Sequence, residues 1–183
     1  QGMTLTLERN NFDGSRNGVN LNAIKGPFAL SHTNTFVGAG HTNGQTVAMS
    51  GLDLTVDGWS FNVATGGIAI YVFQRSMQHL CHGCAAPSER VTISNNTITG
   101  YTYGILGDVQ KSLSVVGNVV TSTSTQPKVY IRSAPADAVY IITDNNLSNA
   151  AGTALDVSGG GGIASQGMTL TLERNNFDGS RNG

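Results

Sequence analysis

Apolar and polar residues alternate along this chain in short bursts. Leu5/Leu7, Leu54/Val56, Val91/Ile93, Leu113/Val115, Tyr140/Ile142 and Leu170/Leu172 each set two apolar side chains two residues apart. That is the period of a strand that buries one face. Ala29/Ser31 holds the corresponding place in one further burst. Five residues after each pair stands a single apolar anchor: Phe12, Phe36, Phe61, Ile98, Val120, Leu147 and Phe177. A glycine often follows (Gly18, Gly44, Gly67, Gly104, Gly152), and then a second alternation. The second set is Val19/Leu21, Val47/Met49, Ile68/Ile70/Val72, Val129/Ile131 and Leu155/Val157. Each unit therefore reads strand, corner, glycine turn, strand, loop. No segment keeps a helical period over ten or more residues.

The anchors are spaced by 24, 25, 37, 22, 27 and 30 residues, which together span 165. Two positions before them come Asn10, Asn34, Asn96, Asn118, Asn145 and Asn175, with Trp59, the one tryptophan, as the exception. Asparagine tolerates the left-handed backbone of a tight corner, and its amide can bond the same amide one layer away. Repeated units of this length predict a stack of parallel strands, a β-solenoid of about six coils per 165 residues, with Asn forming a column. Leu5, Leu7, Val91, Ile93, Leu113, Val115 and Ile142 are expected to point inward. The stretch VTISNNTITGYTYGILGD, Val91 to Asp108, is the most regular. In it the chain resembles the right-handed parallel β-helix proteins, the architecture of pectate lyases and of many secreted surface proteins. The resemblance implies an all-β fold, and it covers the whole chain, 1–183, as one solenoid.

Residues 166–183 repeat residues 1–18 without a change, QGMTLTLERNNFDGSRNG in both places. Two origins fit: one period of a longer tandem array with its overlap, or a duplicated end segment in an engineered chain. In the first copy Gly18 is followed by Val19, so the repeat after Gly183 is expected to continue in the same coil. Head-to-tail stacking then advances the rod by about 4.8 Å per coil, roughly 29 Å per period.

Composition narrows the class. Charged residues are 11% of the 183 positions, against roughly 25% in an ordinary soluble domain. Gly, Asn, Thr and Ser fill 76 positions, yet 39% hydrophobic residues suffice for a core. The net charge of −1 gives no footprint for nucleic acid or an anionic membrane. No apolar run approaches the roughly 18 residues of a spanning helix, so membrane insertion is not expected.

Two places could carry chemistry. Four residues before the first three anchors lie Glu8, His32 and Asp57, expected to stack as a surface polar column about 4.8 Å apart. A carboxylate–His–carboxylate line could bind a cation or exchange protons, and equally forms a solvated face. The longest interval between anchors holds an insertion, 74–90, with His79, Cys81, His82 and Cys84. Cys-x-x-Cys with flanking His matches zinc ligand chemistry, although no second pair stands at the usual separation. Cys81 and Cys84 could instead form a local disulfide. The insertion is expected to project sideways and to offer a lateral contact. No catalytic residue and no cofactor is otherwise expected.

These features predict a structural extracellular fibre, surface filament or adhesin, made by head-to-tail stacking of β-helical repeats. Its partners are expected to be other copies of itself, end to end and laterally through 74–90, and a carbohydrate or host surface. The alternative is a carbohydrate-active β-helix protein, a polysaccharide lyase or hydrolase, or a carbohydrate-binding one.

Overall fold

The computed structural model describes residues 7, 9–13, 18–24, 28–31, 35–38, 44–63, 66–76, 85–108, 110–148, 151–158 and 167–179. Among them the fold is all-β, with parallel strands in a large curled sheet and a second, smaller parallel sheet, an arrangement compatible with a solenoid. Three ladders of strands compose it. The first ladder contains β2 (Val19–Ile24), the first half of β5 (Gln45–Asp57), β7 (Ile68–Val72), β12 (Tyr103–Asp108), β15 (Val129–Arg132) and β17 (Leu155–Ser158). The second contains β3 (Phe28–Ser31), the second half of β5, β10 (Glu89–Ser94), β13 (Ser112–Val116), β16 (Val139–Thr143) and β18 (Thr169–Glu173). The third contains β1 (Asn11–Asp13), β4 (Thr35–Gly38), β6 (Ser60–Val63), β11 (Thr97–Thr99) and β14 (Val119–Thr121). The bridges Val119↔Asn146 and Asn146↔Asn176 extend the third ladder by two levels.

The chain visits the ladders in one repeating order, first, second, third, and each visit pairs with the visit before. Every pairing in the three ladders is parallel. β5 runs through the bend from the first ladder to the second, which is why those two form one curled sheet. The inward alternation fills the space between ladders. Val91, Ile93, Leu113, Val115, Tyr140 and Ile142 are at most 1% exposed, and Leu7 packs against the same core. Burying each aliphatic side chain of this size contributes roughly 1.5–3 kcal/mol. The anchors also meet in register: Phe12↔Phe36, Phe36↔Phe61, Phe61↔Ile98 and Ile98↔Val120.

Three details differ from the pattern. Ser31, and not residue 32, pairs with Asp57, and Ala29 pairs with Thr55. The register of β3 is therefore displaced by one residue, which sets Phe28 and Leu30 opposite Leu54 and Val56. A one-residue slip exchanges the two faces of a strand, so the register of β3 follows its pairing with β5 and not the Ala29/Ser31 alternation. Second, β12 forms although its inner positions include Gly107, which takes the register of Val72 and Ile131. The buried Gln110 fills the space: a Cβ on Gly107 would lie 2.4 Å from its Oε1. Third, the insertion is narrower than 74–90. Glu89 and Arg90 belong to β10, while Arg75–Ser76 (β8) and Ala85–Ala86 (β9) form an antiparallel pair. Ser88 is fully buried because its hydroxyl closes the fold, accepting from Gly51 N–H (3.1 Å) and donating to Phe73 C=O (2.7 Å).

Candidate functional site

The corner between the second and third ladders is built from one left-handed residue followed by one Asn. Arg9, Gly58, Asn95, Gly117, Asp144 and Arg174 have φ of 53°, 72°, 55°, 67°, 60° and 51°. They are separated by the anchor spacings, so one turn geometry recurs at each described level. Glycine occupies it without steric cost, and Asn and Asp tolerate it better than other residues.

Behind these residues runs a column of buried amides. Asn118 Oδ1 accepts from Asn96 N–H (3.0 Å) and Asn96 Nδ2 (2.9 Å). Asn145 Oδ1 accepts likewise from Asn118, at 2.9 and 3.0 Å. Asn175 Oδ1 accepts from Asn145, at 3.0 and 2.9 Å. Each amide nitrogen also donates to a strand carbonyl of the preceding level: Asn96 to Val56, Asn118 to Ile93, Asn145 to Val115 and Asn175 to Ile142. Trp59 ends this run, its backbone N–H donating to Asn96 Oδ1 at 2.9 Å. Its ring stacks on Phe61 (5.7 Å, 22°) and Phe12 (6.1 Å, 12°). Asn10 lies partly buried in the corresponding place of the first copy. The column satisfies polar groups of the corner that would otherwise be stranded in the core.

Of the surface line, Asp57 is occupied locally: its Oδ1 accepts from Ser94 Oγ (2.7 Å) and Asn95 Nδ2 (2.8 Å). Glu8, His32 and Asn34 lie outside the described residues, as do His79, Cys81, His82 and Cys84. Among the described residues no group of three or more His, Cys, Asp or Glu is placed to hold a metal ion.

A concave site lies elsewhere, on the outer face of the first ladder. It is a cleft of about 250 Å³ crossed by three rows of residues in ladder register. The upper row runs Gln45, Ile68, Tyr103. The middle row runs Tyr71, Leu106, Tyr130. In the lower row Arg132 lines the cleft, and Asp108 and Ser158 flank it in ladder register. Strand parity produces the middle row and the place of Arg132, whereas Gln45, Ile68 and Tyr103 stand in the inward phase at the starts of their strands. Ile70, Val72, Val129 and Ile131 are fully buried, so Tyr71 and Tyr130 must face outward between them. Leu106, 5% exposed, forms the floor.

The cleft is aromatic and hydrogen-bonding at once. The rings of Tyr103 and Tyr130 stack at 6.0 Å and 22°, and Tyr71 leans on Phe73 at 5.4 Å. Tyr103 OH donates to Gln126 Oε1 at 2.9 Å. Arg132 Nη2 donates to Asp108 Oδ2 at 3.1 Å, and Tyr71 OH points at the same oxygen from 3.5 Å. Burial first, and then the Asp108 carboxylate, hold the Tyr71 phenol above its ordinary pKa, so it stays a neutral donor. The Arg132 side chain is 43% exposed. Its Nε is nonetheless buried, with no hydrogen-bond partner among the described residues.

The cleft lies outside the inward pairs Ile70/Val72 and Val129/Ile131 that the alternation marks, and β12 shows no such pair because Gly107 stands in it. The available signal was the residue between those pairs: a tyrosine in the polar phase of two separate strands. No protein-family model matches the chain, and no curated protein or solved structure matches it.

Proposed function

We propose that the chain is a period of a right-handed parallel β-helix with about six coils per 165 residues, and that it serves as a structural extracellular filament or surface adhesin whose repeats stack head to tail. The handedness rests on connection chirality: parallel strands of one sheet joined by a crossover are right-handed in about 98% of cases. The crossovers here pass through the other two ladders.

One observation carries the stacking. The same eighteen residues occur twice, and the two copies are paired on opposite faces. In the first copy Asn11–Asp13 pairs with Thr35–Val37 of the following level. In the second, Thr169–Glu173 pairs with Val139–Thr143, and Asn176 with Asn146, of the preceding level. The corner residue is left-handed in both, Arg9 at 53° and Arg174 at 51°. A segment able to accept a parallel level above and below is what axial continuation requires, because each level supplies the N–H and C=O groups that the next one needs. Low charge and a surface of Thr, Ser and Asn suit a uniform rod outside the cell.

The test is a polypeptide with residues 1–165 written twice and followed by 166–183. Small-angle scattering is expected to give one rigid rod, longer than the single period by roughly 29 Å. Two particles joined by a flexible segment would overturn the proposal.

A further inference from the structure

We propose that the cleft on the outer face of the first ladder binds a neutral oligosaccharide, with Tyr103 and Tyr130 as its stacking platform and Arg132, Asp108 and Tyr71 as its hydroxyl contacts.

The ring arrangement is the first argument. A tyrosine exposed on a sheet commonly lies singly among polar residues. Here Tyr71 and Tyr130 stand in one register two ladder steps apart, about 9.6 Å at the ladder spacing. Tyr103 stacks beside Tyr130, so the two rings make a continuous apolar strip with hydroxyls at its margin. Such a strip offers flat faces to C–H groups and polar edges to hydroxyls, which is the mixed surface of a sugar ring.

Charge decides between a neutral and an acidic ligand. The one cation of the lower row, Arg132, is already paired with Asp108. Asp156 pairs in register with Tyr130, adding a second carboxylate next to the platform. A uronate or a phosphate would meet two negative groups and one neutralised arginine. A neutral hydroxyl, by contrast, can donate to Asp108 and accept from Arg132 in one place, the pattern two adjacent sugar hydroxyls provide. Nucleic acid is disfavoured by the same balance.

The third argument is the accessible part of Arg132: its side chain is 43% exposed and lines the cleft with Tyr71, so a ligand hydroxyl seated there can accept from the guanidinium. The volume, about 250 Å³, is just below the roughly 300–1,000 Å³ of ligand clefts and suits one or two sugar rings.

The experiment is calorimetric titration of the full chain with cellohexaose, xylohexaose, maltohexaose and mannohexaose, and with hexagalacturonate as the acidic counterpart. At least one neutral hexasaccharide is expected to bind with millimolar affinity or better, and hexagalacturonate at least tenfold more weakly. Tyr130→Ala is expected to lower the affinity at least tenfold, and Arg132→Gln about fivefold. Because Tyr130→Ala opens the sheet face, Ser158→Trp serves beside it: it blocks the lower row from an outer position and is expected to abolish binding with an unchanged circular dichroism spectrum. Binding of none of the four neutral sugars, stronger binding of hexagalacturonate, or full affinity in Ser158→Trp would overturn the inference. Each of those outcomes leaves the stacking proposal intact, since that concerns the ends of the ladders and not their outer face.

Discussion

Two corners of this protein solve the same problem in opposite ways. Between the second and third ladders, every described turn is one left-handed residue and one Asn or Trp59, without insertion; Trp59, Asn96, Asn118 and Asn145 are buried, and Asn10 and Asn175 half-buried. Between the first and second ladders the links differ in length, although left-handed residues recur there in two register pairs, Asp53 with Arg90 and Asp137 with Gly167. β5 bends there without interruption; the next link runs from 73 to 88 and holds β8 and β9; later links are 109–111 and 133–138. The first corner is closed by a device that passes identical hydrogen bonds from level to level. The second is closed by individual side chains. Ser88 ties Gly51 to Phe73, Gln110 Nε2 donates to Val72 C=O at 2.9 Å, and Tyr140 OH donates to Gln110 C=O at 2.9 Å. A repeating corner leaves no room for extra residues, because each amide must meet its neighbour. A corner satisfied case by case can host insertions, and the chain places its longest one there.

The largest effect should come from breaking the repeated device. Asn118→Ala removes the acceptor of Asn96 N–H and the donors to Ile93 C=O and Asn145 Oδ1. Two or more buried groups are then orphaned, and at roughly 1–3 kcal/mol each the loss is expected to be about 3–5 kcal/mol in urea unfolding. Ser88→Ala, in the variable corner, should cost about 1–3 kcal/mol. Equal losses would erase the distinction between the corners.

Alkaline pH separates two buried phenols. Burial raises Tyr101 and Tyr140 to about 12, although Thr46 hydrogen-bonds Tyr101 at 2.8 Å and opposes the shift. A folded pKa above the unfolded value of about 10 means that the folded state holds the proton longer. The contribution is complete below pH 10 and disappears between about 10 and 12, by roughly 2–3 kcal/mol for each phenol. Tyr140→Phe should flatten half of that decline in pH-dependent melting. An undiminished decline would assign the loss to other groups.

A smaller effect is expected at the left-handed position. Gly117 has φ of 67°, and a Cβ there would sit 2.7 Å from Asn95 Oδ1. Gly117→Ala should cost about 1–2 kcal/mol from backbone strain, with some relief if Asn95 rotates away. A neutral result would show that the stacked corners are wide enough to shift.

The smallest effect should follow from shortening the insertion. Joining residue 74 to residue 87 through a tight turn, with Ser88 kept, should change stability by less than about 1 kcal/mol, since loop-closure cost varies slowly with length. Loss of the fold on this change would make the insertion part of the core and would dissolve the comparison.

Much of the ladder register was readable because it is a local code. The anchors pair in the order of their spacing, and the residues five and seven before them lie in the core at Leu54/Val56, Val91/Ile93, Leu113/Val115 and Tyr140/Ile142. A strand buried on one face writes its register into alternate positions, so counting by two recovers it. The count failed at β3, where Ala29/Ser31 and Phe28/Leu30 are competing phases and only pairing with β5 chooses between them. It failed again at β12, where Gly107 carries no side chain and the space is filled by Gln110 from the following link.

The sequence by itself determined the all-β pattern, the identity of the two end segments and the positions of the Asn corners, because each depends on spacing within a few residues or on direct repetition. The tertiary structure alone decided the tyrosine cleft, the Arg132–Asp108 pair and the narrower insertion. Tyr71, Leu106 and Tyr130 are separated by 24 residues or more in the chain. They become neighbours only when parallel strands stack a few ångströms apart, and which residues then share a row follows from the summed length of every corner between them.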